Sequence, residues 1–183
     1  MCVISLCTRG ALDTWSRGRS TAALADMTFT LSYRLTGTGW AECSLSDGQA
    51  SCVIRASYLS DCLLNLVLAA TAVASGFTRV SFRFDEEPGE YRWVITSPRL
   101  NEIELEILSF DELWGGRPDD EGRSLFKTRC LPEVFAKTVH DVAQQLLAEH
   151  GETGYLAKWV EHPFPSVQLS ELNRLVRTAQ HVG

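Results

Sequence analysis

Six residues near the middle of the chain set the fold class. Ile103, Leu105 and Ile107 alternate with Glu102, Glu104 and Glu106. A period of two is met by an extended strand with one buried face, since a helix would scatter these residues around its axis. One face must meet a core, and the other is expected to be a column of carboxylates facing water.

The same alternation recurs. Phe29, Leu31, Tyr33 and Leu35 predict a first strand, and Ala41, Cys43 and Leu45 a second after the Gly37–Gly39 turn. Cys52 and Ile54 lie in a third, reached through Asp47-Gly48, a strong hairpin signal. Val80, Phe82 and Phe84 predict a fourth strand; Tyr91, Trp93 and Ile95, after Pro88-Gly89, a fifth. A further strand is expected over residues 124–130. Between the two groups of strands, Leu59, Leu63, Leu66, Val67 and Ala70 form a helical stripe that Ser57 or Ser60 can cap and Gly76 can stop.

The last third is helical. Pro132 suits a first helical position, and Phe135, Val139, Val142, Leu146 and Leu147 share a stripe that Gly151 ends. A short helix around Tyr155, Leu156, Trp159 and Val160 is broken by Pro163 and Pro165. A final helix carries Leu169, Leu172, Leu175 and Val176. The order is βββ-α-ββββ-ααα. The short links imply a mostly antiparallel sheet of six to seven strands with helices on one face, an α+β domain. The second block of strands either extends the first sheet or forms its own. Residues 27–183 are expected to be a single domain, preceded by a disordered extension over 1–26 or by a start codon upstream of the natural one at Met27.

The longest apolar stretch, residues 63–74, is too short to span a bilayer, so no membrane role is expected. The six cysteines form no CxxC pair and no histidine stands at ligand spacing to them, so no zinc or other metal is expected. Free thiols in a reducing, cytoplasmic compartment follow, with a Cys43–Cys52 bridge across the hairpin as the alternative. GxSxG, P-loop and GxGxxG patterns are absent, and no cofactor is expected.

Charge is concentrated. Residues 85–121 hold twelve acidic side chains against Arg92, Arg99 and Arg117, a formal charge of −9 in a chain of −6. Such a field repels nucleic acid and favours a basic protein partner. The candidate binding residues are Asp85, Glu86, Glu87, Glu90, Asp111, Glu112, Asp119, Asp120 and Glu121, with Trp114 as apolar anchor. The first functional reading is therefore a non-enzymatic protein-binding module with an acidic docking face, immunity-like in size and charge. A second is a small enzyme pairing His162 with Asp85 or Glu87. A third is self-assembly, such as a homodimer, through a sheet face bearing Trp40 and Trp93 or through a free strand edge.

The run Asp85-Glu86-Glu87-Pro88-Gly89-Glu90-Tyr91-Arg92-Trp93, with Trp40 upstream and His162-Pro163-Phe164-Pro165 downstream, resembles a family of uncharacterised bacterial proteins. The resemblance spans Phe29 to Val176. It implies a bacterial, cytoplasmic protein and brings no catalytic residues.

Overall fold

The computed structural model describes residues 28–182. The expected extension over 1–26, the start at Met27, and Cys2 and Cys7 lie outside the described residues. Strands β1 (Thr30–Leu35), β2 (Trp40–Ser46) and β3 (Ser51–Ser57) form one antiparallel sheet in that order. Strands β4 (Arg79–Asp85), β5 (Glu90–Arg99), β6 (Glu102–Phe110) and β7 (Arg123–Cys130) form a second. Helix α1 (Cys62–Ala74) joins the sheets, and α2 (Pro132–Trp159) and α3 (Ser166–Val182) follow. The element order matches the periodicities, but there are two sheets rather than one. A helix separates β3 from β4, so no tight turn sets a register between them, and they touch without sharing a ladder.

Both sheets and all three helices feed one core. Tyr33 meets Phe84 edge-on at 6.2 Å, and Phe82 stacks on Trp93 at 5.3 Å. Trp93 is wholly buried, and Trp40 is half-buried under the Arg55 guanidinium at 4.9 Å. The outward-facing tryptophan pair that would support self-assembly through a sheet face is therefore not formed. No helix among the described residues is long and apolar enough to cross a membrane.

Local chemistry explains the ends of the elements. Asp47 accepts the N–H groups of Ala50 at 2.7 Å and Gln49 at 2.9 Å, which closes the β2–β3 hairpin. These backbone bonds hold its carboxyl below the usual range. The cap of α1 is Asp61, which accepts the Leu64 N–H at 3.2 Å, not Ser57 or Ser60. Ser60 is used elsewhere: its hydroxyl accepts the Asp85 N–H at 2.9 Å. Leu59 precedes the helix and is exposed, so it does not belong to the stripe. At Gly151 (φ 62°) the backbone leaves helical geometry, and the short helix expected beyond it continues as the end of α2.

Cys43 and Cys52 are not opposite one another. Cys43 faces Ile54 and Cys52 faces Leu45, and both thiols are free.

The carboxylate column on β6 is also not simply solvated. Antiparallel register sets Glu104 beside Arg129 and Glu106 beside Lys127. Lys127 lies 2.8 Å from Glu104 and 3.3 Å from Glu106, and Arg129 lies 3.0 Å from Glu104. The outer face of the second sheet is thus a ladder of cross-strand ion pairs.

Candidate functional site at the end of the four-stranded sheet

Register brings the acidic segments together. Asp85 is opposite Glu90, and Glu90 is opposite Phe110. The β4–β5 turn and the β6–β7 connection, residues 111–122, therefore share one end of the sheet. The approach is close at Gly89, where a Cβ would stand 2.3 Å from the Phe110 carbonyl oxygen. Only glycine leaves that room.

The period of two then builds a charged square on the outer face. Arg83 and Asp85 point the same way on β4, as do Glu90 and Arg92 on β5, and Arg83 is opposite Arg92. Arg83 Nε lies 3.1 Å from Asp85 Oδ1, and Arg92 Nη2 lies 2.8 Å from Glu90 Oε1. Asp85 and Glu90 are 1% and 3% exposed. They are buried acids paired with arginines, not surface acids of a docking face.

Residues 111–122 fold back over this square as a strap. Arg92 is the central fastening. Its Nη1 donates to the Arg117 carbonyl at 2.6 Å and to Asp119 Oδ1 at 2.9 Å, and its guanidinium lies 4.2 Å over the Phe110 ring. Arg79 holds the other oxygen of Asp119 at 2.5 Å. The Arg92 hydrogen bond, reinforced by Arg79 against some cost of burial, keeps the Asp119 carboxyl below the usual range. Beneath the strap, Val94, Leu108 and Phe110 make a small apolar cluster.

The strap presents Trp114. Its backbone has φ 58°, a left-handed conformation unusual for a large residue. Two buried carboxylates hold it there: the indole Nε1–H donates to Asp85 Oδ2 at 3.0 Å, and the backbone N–H donates to Glu90 Oε2 at 3.4 Å. The side chain is still 60% exposed. A cleft of ≈ 510 Å³ opens beside it, floored by Asp85, Glu90 and Arg92 and walled by Arg83, Leu59 and Phe82.

The other predicted residues divide by partner. Glu121 is exposed and paired with Arg117 at 2.8 Å. Glu86 is half-buried. Burial, and then its bond to Glu86, raise the Tyr91 hydroxyl above the usual range. Glu87, Asp111, Glu112 and Asp120 are exposed and form no ion pair with the described residues. Flanking strands offset much of the acidity: Arg79, Arg83, Arg123, Lys127 and Arg129 join the three arginines already counted, so residues 79–130 carry −4. The structural roles of Arg79, Arg83 and Arg92 were missed at the level of sequence. Their signal was present as alternate positions on one strand face with Asp85 and Glu90.

His162 does not meet Asp85 or Glu87. Its Nε2 is 3.0 Å from the Tyr58 carbonyl, and because a carbonyl can only accept, Nε2 carries the proton. Its Nδ1 lies 3.8 Å from Asp61 Oδ2. Glu87 stands exposed at the hairpin tip, and the cleft at Asp85 is not lined by His162. His162 instead ties the segment after α2 to the segment before α1, alongside the Gly39 N–H that donates to the Lys158 carbonyl at 2.6 Å. Among the described residues no group of three or more His, Cys, Asp or Glu side chains is arranged to hold a metal ion.

No protein-family model matches the chain, and no curated protein does. Among solved structures, a chain of a CdiA-CT/CdiI toxin and immunity complex from Enterobacter cloacae is similar to it. Identity is 10%, 64% of this chain and 99% of that chain are covered, and the TM-score is 0.41. A likeness of that size assigns neither a family nor an activity.

Proposed function

We propose that this protein is a non-enzymatic binding module that docks a basic protein surface at the Trp114 end of its four-stranded sheet. The observation that carries the reading is an exposed tryptophan held by two buried carboxylates, Asp85 at the indole N–H and Glu90 at the backbone N–H. A tryptophan held in place before contact loses little entropy on binding and is the residue type most often found as a binding hot spot. Exposed Glu87, Asp111, Glu112 and Asp120, none of them in an ion pair with the described residues, supply at the same sheet end the field that steers a basic partner. The docking face is narrower than the acidic segment: Asp85 and Glu90 support it from below, and Asp119 and Glu121 are already paired. An immunity role, covering the basic surface of a toxin, is one form of this reading and rests on size and charge. The free thiols of Cys43, Cys52, Cys62 and Cys130 support a reducing, cytoplasmic setting.

The test is capture from the source organism's lysate with the wild type and with the Glu87→Lys/Asp111→Lys/Glu112→Lys variant. The expected result is a basic protein retained by the wild type at low salt, released by high salt and lost from the variant. Equal retention by both proteins would refute the docking reading.

A further inference from the structure

We infer that the cleft beside Trp114 is a socket for one basic side chain, lysine or arginine, of the docked protein. This rests on the docking reading and names what its centre recognises. The floor holds two carboxylates in a nearly dry setting, where a cation counts for more than at the surface. One oxygen there is short of a donor. Asp85 Oδ1 is buried and accepts no hydrogen bond, because Arg83 Nε sits 3.1 Å away but off the hydrogen-bond line. Arg83 is itself 47% exposed and has no other ion pair among the described residues, so it can swing out to solvent.

Arg92 cannot leave in the same way, being held by Glu90, Asp119 and the Arg117 carbonyl. The place open to a guest is therefore the one Arg83 half-fills. An entering ammonium or guanidinium donates to Asp85 Oδ1, and its aliphatic stem lies between the Trp114 indole and Leu59. Because Oδ2 of the same carboxylate fixes the indole, occupancy of the floor is sensed at Trp114 Nε1–H.

That proton is the reporter. Its NMR signal, assigned by its loss in Trp114→Phe, is followed while N-acetyl-lysine methylamide is added to the full chain. N-acetyl-norleucine methylamide serves as the uncharged control. The expected result is a saturable shift with the lysine amide and none with the norleucine amide. Asp85→Asn abolishes the shift, and Arg83→Ala tightens the apparent affinity about two- to fivefold by removing the resident competitor. If Asp85→Asn does not fold, the Arg83→Ala arm decides. Equal shifts from both amides, no saturation in either the wild type or Arg83→Ala, or weaker binding by Arg83→Ala overturns the socket. The two proposals fail separately: capture that is lost on reversal of the exposed acids but untouched by Asp85→Asn keeps the docking face and removes the socket.

Discussion

Replacing Asp119 with alanine releases the strap from both of its arginines. Asp119 is 35% exposed, and its partners differ: Arg79 is 55% exposed and Arg92 is 15% exposed. The Arg79 pair is a surface contact, worth a few tenths of a kcal/mol. The Arg92 bond is shielded under the strap and approaches the lower end of a charged hydrogen bond, about 1–1.5 kcal/mol. Discounted for exposure, Asp119→Ala costs about 1.5 kcal/mol, a fall in Tm of about 3–6 °C for a domain of this size. Arg79→Ala should cost less than half as much.

The dependence on pH has a definite sign. Asp119 has its carboxyl lowered in the fold, so its contribution is complete above the ordinary carboxylate value near 3.9. It is lost as pH falls through the lowered value. Wild type and variant therefore differ most at neutral pH and converge in acid. Thermal unfolding from pH 7 to pH 3 measures both effects, and hydrogen exchange should show faster amides in residues 111–118 with β1–β3 unchanged. A Tm loss under about 1 °C at neutral pH, or a gap that widens in acid, would show that the strap is not held through Asp119.

Two further perturbations test the local geometry. Gly89→Ala sets a Cβ against a backbone oxygen that cannot rotate away, so it should cost about 1–3 kcal/mol and displace the Trp114 indole signal. Of the four described cysteines, Cys52 is half-buried, whereas Cys43, Cys62 and Cys130 are buried, and burial pushes the Cys130 thiol up to about 12. Iodoacetamide at pH 8, read by peptide mass spectrometry, should alkylate Cys52 well ahead of those three in the folded protein.

Much of the fold was legible because it is local. Ile103, Leu105 and Ile107 must share a face whatever the rest of the chain does, and Asp47-Gly48 closes its hairpin with its own side chain. Short-range chemistry also fixed Pro132 at the start of α2 and the helical break at Gly151. The cap of α1 was harder to read, since Ser57, Ser60 and Asp61 are all capping residues: Ser57 ends β3 and accepts the Leu59 N–H, and Ser60 is drawn to the distant Asp85 N–H, which leaves Asp61.

The candidate site was legible in its residue types but not in its arrangement. The acidic run and Trp114 stood out by composition. Their burial did not, because whether a carboxylate faces water depends on what the sheet register sets beside it. By itself, the sequence determined the strands, the helices and the excess of carboxylates, all of which follow from the spacing of neighbours along the chain. The tertiary structure decided that Asp85 and Glu90 lie beneath the strap while Glu87, Asp111, Glu112 and Asp120 stay exposed. It also decided that His162 faces Asp61. The physical reason is that a charge is neutralised and buried by groups near it in space: Arg83 and Arg92 reach Asp85 and Glu90 from two residues away on their own strands, whereas only the fold-back of residues 111–122 brings Asp119 to Arg79 and Arg92 and Trp114 over Asp85.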